Sequence, residues 1–140
     1  MDITRFSGLA RPIDPAYPTN RAIIIIVSTV FLGLTIYSLS IGQGLIDSLL
    51  VGGHLAVVIF LTWALARELD PDYPLSAFIG LPLTTILFFY EPPLLIPIVA
   101  LLQILRFVNR ITGQIARWGD TLLLLGLAIY LAWNKHYFLS

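Results

Sequence analysis

The chain of 140 residues contains no cysteine. Disulfide bridges, thiolate ligation of iron–sulfur clusters or zinc, and a cysteine nucleophile are therefore excluded. Charge is also scarce, because only 11% of the residues are charged and Lys+Arg 8 balance Asp+Glu 8. A chain with no net basic field has little with which to hold a phosphate backbone, so we expect no nucleic-acid partner.

Apolar side chains make up 58% of the sequence, far more than a water-soluble domain carries. We therefore predict an all-α integral membrane protein, a polytopic helix bundle with about five membrane segments. Residues 1–20 form a cytoplasmic, Pro-containing arm, and 21–140 form a single transmembrane domain. The predicted spans are residues 21–41, 45–66, 75–90, 94–107 and 121–134, with a turn at 42–44 between the first two.

The third and fourth segments are short for a span of about 20 residues. Pro82 and Pro97 interrupt them, and Glu91-Pro92-Pro93 separates them. Two arrangements stay open. The segments are two thin or tilted spans, which we favour, or they are the arms of a re-entrant hairpin buried among the other helices.

Basic residues predict the orientation. Arg106, Arg110 and Arg117 form one stripe of an amphipathic helix that precedes the last span, where they bind lipid headgroups or dock a partner. With five spans, seven of the eight Lys and Arg residues share one side with the N-terminus, and only Lys135 lies opposite. The positive-inside rule makes that side cytoplasmic, and we expect a prokaryotic inner membrane. A hairpin whose arms begin and end on that side keeps the same asymmetry.

His54 lies within the second predicted span, beside Gly52 and Gly53. Histidine is costly inside a bilayer, so a function is the first hypothesis. The ring can be an axial ligand of a haem or chlorophyll, or a member of a proton relay. The alternative, which we favour, is a neutral imidazole that hydrogen-bonds another helix. The sequence itself requires no cofactor.

Acidic residues offer two further candidate sites. Glu68, Asp70 and Asp72 alternate in the loop after the second span and could hold Mg²⁺ against a lipid-linked phosphate, although spaced loop acids are more often solvated or capping. Glu91 would enter an ion pathway if residues 75–107 re-enter the membrane. If they span it twice, Glu91 is an exposed turn residue, which we favour.

We find no G-x-S-x-G, P-loop or H-E-x-x-H motif, and no catalytic residue is assigned. The leading hypothesis is a non-catalytic accessory or assembly subunit of a larger respiratory or photosynthetic membrane complex, with other membrane subunits or its own copies as partners. A small homo-oligomeric channel or transporter is the alternative. A lipid-processing intramembrane enzyme is the second alternative.

Overall fold

A computed structural model describes residues 13–73, 75–109 and 118–134. Those residues form five α-helices and no strand, as the all-α prediction expects. The helices are α1 (Pro18–Ser40), α2 (Leu45–Leu69), α3 (Ser76–Tyr90), α4 (Leu95–Asn109) and α5 (Trp118–Trp133).

Two of these helices are long and apolar enough to cross a bilayer by length and composition, α1 with 23 residues and α2 with 25. At about 1.5 Å per residue they measure ~35 and ~37 Å, against a hydrocarbon core of ~30 Å. The helices α3, α4 and α5 have 15, 15 and 16 residues and fall short of that length. The predicted five-span bundle is therefore not confirmed.

The helix boundaries differ from the predicted ones at prolines and at charged residues. Pro18 is the first residue of α1, because proline has a suitable φ there and the missing N–H has no helical acceptor at that position. The helix α2 continues to Leu69, so Glu68 is helical and not part of the loop. Pro82 lies inside α3, and Pro97 is the third residue of α4. Of the predicted amphipathic helix, residues 110–117 lie outside the described residues.

A turn around Asp14 starts α1. Its carboxylate accepts a hydrogen bond from the Ala16 N–H at 2.9 Å, and its carbonyl accepts from the Tyr17 N–H at 3.2 Å and the Asn20 amide at 3.0 Å. This turn orders the chain that leads into Pro18. The N-cap is Tyr17, whose side chain makes no capping bond.

The predicted turn between α1 and α2 is confirmed, and its geometry is that of a Schellman cap. Gly42 has a φ of 87°, which a residue with a Cβ rarely adopts. Its N–H donates to the Leu39 carbonyl at 3.0 Å, and the Gln43 N–H donates to the Ser38 carbonyl at 3.2 Å. These bonds satisfy carbonyls at the end of α1 and reverse the chain.

The chain divides into two compact units. In the unit Ile13–Pro93, α2 packs against both α1 and α3 and has more buried residues than any other helix. In the unit that begins at Leu94, α4 packs against α5.

Gly52 makes the contact between α1 and α2 very close. A Cβ added there would overlap Thr35 Oγ1 and would lie 2.8 Å from the Phe31 carbonyl oxygen. Beside it, the Thr35 hydroxyl donates to the Ser48 carbonyl at 3.4 Å, and Ser48 is fully buried. Small residues thus let the two backbones meet, which in lipid is a main source of helix association.

Candidate functional site

The register between α2 and α3 fixes the position of the candidate site. The hydroxyls of Thr62 and Thr84 lie 3.5 Å apart, and the contact to Pro93 comes from His54, eight residues earlier in α2. Residue numbers therefore rise along α3 as they fall along α2, so the two helices are antiparallel. Glu91 lies seven residues beyond Thr84, so it is level with about residue 55 of α2, seven residues before Thr62. The start of α2 at Leu45 is a further ten residues away.

His54 holds the segment that follows α3. Its Nε2 lies 2.9 Å from the Pro93 carbonyl oxygen, and its ring meets the ring of Phe88 edge to face with centroids 5.1 Å apart. A carbonyl oxygen can only accept, so Nε2 carries the hydrogen and donates it. His54 is half-buried and Phe88 is 4% exposed. One imidazole thus connects the middle of α2 to both the end of α3 and the turn.

The local sequence explains why the Pro93 carbonyl needs this donor. Pro93 precedes α4. If α4 began earlier, the Pro93 carbonyl would accept from the N–H of the residue four positions later, but that residue is Pro97. Proline has no N–H, so α4 cannot be extended backwards to satisfy this carbonyl. Pro93 is half-buried, and the hydrogen bond from His54 to its carbonyl contributes about 0.5–1.5 kcal/mol.

This geometry bears on the tetrapyrrole hypothesis. The hydrogen bond to Pro93 occupies Nε2, so only Nδ1 remains to ligate a metal while the bond is intact. Nδ1 is the nitrogen closer to the backbone of α2. The imidazole is hydrogen-bonded, and its partner is a turn carbonyl and not a second helix.

Glu91 is the residue at which α3 ends. Its N–H donates to the Leu87 carbonyl at 3.0 Å, which completes the last turn of the helix. The side chain is exposed, and the neighbouring Phe89 and Tyr90 are 64% and 84% exposed. The carboxylate therefore lies on the outer surface of this unit, among aromatic side chains.

The three acidic residues Glu68, Asp70 and Asp72 differ in their exposure to solvent. Glu68 is 2% exposed in the last turn of α2, Asp70 is half-buried where that helix ends, and Asp72 is exposed. Within the described ranges, no three His, Cys, Asp or Glu side chains come close enough to hold a metal ion. The structure does not bring the predicted magnesium ligands together.

Of the predicted headgroup-binding arginines, Arg106 lies in the last turn of α4 and is half-buried. Arg110 and Arg117 lie outside the described residues. The structure therefore describes only one of the three arginines of the predicted stripe.

Sequence reasoning missed both partners of His54. The signal was present in the pair Pro93 and Pro97, since a proline four residues after another residue removes the usual donor to that residue's carbonyl. It also missed the Thr62–Thr84 contact that sets the level of Glu91 along α2. Comparison with known proteins finds no matching family model, no similar curated protein and no similar solved structure.

Proposed function

We propose that this chain is a small integral membrane subunit that packs against other membrane proteins and performs no chemistry of its own. Large apolar side chains on the outer faces of the long helices support lipid as their surroundings. Examples are Leu32 and Ile36 of α1, which are 55% and 64% exposed, and Leu50 of α2, which is 65% exposed. In water such surfaces would cause association, whereas lipid tails solvate them.

In this proposal α1 and α2 cross the membrane, and α3 enters it without crossing. The helix α2 is about 7 Å longer than a hydrocarbon core of ~30 Å. Glu91 is level with residue 55, which is about 15 Å from one end of α2 and ~21 Å from the other. Even if the whole excess of α2 lies at one end, Glu91 stays at least ~8 Å inside the hydrocarbon.

The position of Glu91 beside the middle of α2 is the observation that carries the proposal. An outward-facing carboxylate at such a depth has only lipid tails around it unless protein covers it, and a charged side chain costs up to about 2.5–3.5 kcal/mol, the value at the bilayer centre on the insertion scale. A neighbouring subunit removes this cost. The re-entrant arrangement of residues 76–93 is thereby preferred over a span, and Glu91 becomes an intramembrane residue and not an exposed turn.

The experiment is native electrophoresis of membranes solubilised in a mild detergent, followed by mass spectrometry of the bands. We expect the chain to migrate with larger subunits at fixed stoichiometry. The same chain produced in a host that lacks those subunits is the matched control and should migrate at lower mass. Recovery from native membranes as a single chain, with no partner at fixed stoichiometry, would refute the proposal.

A second candidate function is a homo-oligomeric channel or transporter, and the same carboxylate favours it. Copies of Glu91 inside the membrane, beside the two prolines that follow α3, would line a pathway for cations or protons. Flux measurements on liposomes that contain only this chain distinguish the two. Conduction that Glu91→Gln abolishes supports the channel, and no conduction by the native chain supports the subunit.

A further inference from the structure

We propose that Glu91 is the docking point for a lysine or arginine side chain on a membrane-spanning helix of a partner subunit. This inference rests on the proposed function above and adds the chemistry of the partner. It concerns the surface formed by Leu87, Phe89, Tyr90 and Glu91, which we call the tip surface.

The tip surface faces outwards. Leu87, Phe89 and Tyr90 are 55%, 64% and 84% exposed, and Glu91 is exposed beside them. The hydrogen bond from His54 to Pro93 and the packing of Phe88 hold the chain on either side of Glu91, so the surface is fixed in position. Inside a membrane, polar side chains in apolar surroundings form hydrogen bonds across helix contacts.

The carboxylate is not satisfied by its own turn. The two residues that follow it, Pro92 and Pro93, have no N–H to donate. Among the residues that the structure describes, no hydrogen bond or ion pair is made by the Glu91 side chain. Donors for both carboxylate oxygens therefore have to come from outside this part of the chain.

The charge of Glu91 selects the kind of partner. Lipid tails have no donors, and phosphate headgroups repel a carboxylate. An ammonium or guanidinium group supplies both the opposite charge and several donors, which gives the strongest type of hydrogen bond. The exposed rings of Phe89 and Tyr90 favour the same partner, because aromatic faces attract cations and exclude water around the pair.

The test uses a synthetic single-span peptide as the probe. The peptide is a Leu-rich helix with one lysine about six residues inside its hydrophobic end, which matches a depth of ~8 Å. The control peptide has leucine at that position. Because the chain has no cysteine, Ser40→Cys at the exposed end of α1 gives a single site for an acceptor dye. Energy transfer in phosphatidylcholine vesicles then reports association.

We expect the lysine peptide to associate more tightly than the leucine peptide by on the order of ten-fold, as hydrogen-bonded pairs of helices do in membranes. Glu91→Gln should remove this preference. Asp72→Asn, which changes an exposed loop acid, should leave it intact. Equal association of the two peptides with the native chain, or a preference that survives Glu91→Gln, would overturn the inference.

Flotation of the same vesicles separates this inference from the proposed function. If the chain does not float with the lipid, the membrane proposal itself fails. If it floats and Lys and Leu peptides bind equally, only the docking inference fails. Transfer between two labelled copies of the chain that excludes the lysine peptide would also overturn it, in favour of self-association.

Discussion

The contact of α1 with α2 at Gly52 gives the sharpest prediction about stability. In Gly52→Ala the new methyl group would overlap Thr35 Oγ1 and would lie 2.8 Å from the Phe31 carbonyl oxygen. A backbone carbonyl inside a helix cannot rotate away, so the two helices have to separate. Overpacking of this kind costs about 1–3 kcal/mol, from which the better helix propensity of alanine subtracts about 1 kcal/mol.

The neighbouring Gly53 supplies the matched control. A Cβ at Gly53 would have its nearest contact at 3.9 Å, to Phe31 Cε2, and a Cβ at Gly33 would have nothing within 4 Å. Both Gly53→Ala and Gly33→Ala gain the same helix propensity without the overlap. We therefore expect Gly52→Ala to be less stable than Gly53→Ala by about 1–3 kcal/mol.

The assay is reversible unfolding of the purified chain in mixed micelles by increasing mole fraction of dodecyl sulfate. The double variant Gly52→Ala with Thr35→Ala removes the hydroxyl but leaves the Phe31 carbonyl, so it should recover only part of the loss. Equal unfolding free energies for Gly52→Ala and Gly53→Ala would refute the close contact between the helices.

Three further substitutions test the turns. His54→Phe keeps a ring against Phe88 but removes the donor to Pro93. It should therefore lower the free energy of unfolding by about 0.5–1.5 kcal/mol and increase the mobility of a nitroxide at Tyr90→Cys. His54→Gln keeps an N–H donor and should lower the stability less. Unchanged nitroxide mobility in His54→Phe would show that the bond does not hold the tip. Asp14→Ala removes the carboxylate that accepts from the Ala16 N–H, so it should cost about 0.5–1.5 kcal/mol and speed hydrogen exchange at Ala16, and an equal exchange rate would contradict the role of this bond in the turn.

The elements that sequence predicts well are those encoded locally. Glycine at 42 allows the positive φ that ends α1, and the long apolar runs on either side form the two longest helices. Prolines were harder to interpret, because their effect depends on position. Pro18 and Pro97 lie in the first turns of their helices, where a missing N–H costs nothing, so neither ends a helix.

The candidate site could be predicted only in part. Glu91 and His54 stand out as polar residues in apolar surroundings, which is a property of the sequence. Their relation depends on the register of α2 against α3, and that register is set by packing between residues distant in the chain, such as Thr62 and Thr84. Hydropathy has no information about register. A prediction from hydropathy therefore places a third span here, whereas in the structure α3 ends beside the middle of α2.

The central claim is that lipid solvates the outer faces of the long helices. A nitroxide at Leu32→Cys, 55% exposed near the middle of α1, tests it most directly in reconstituted bilayers. We predict that it collides far more often with dissolved oxygen than with a water-soluble nickel chelate, while a nitroxide at Asp72→Cys shows the reverse. Frequent collisions of the Leu32→Cys label with the nickel chelate, equal to those at Asp72→Cys, would contradict the account.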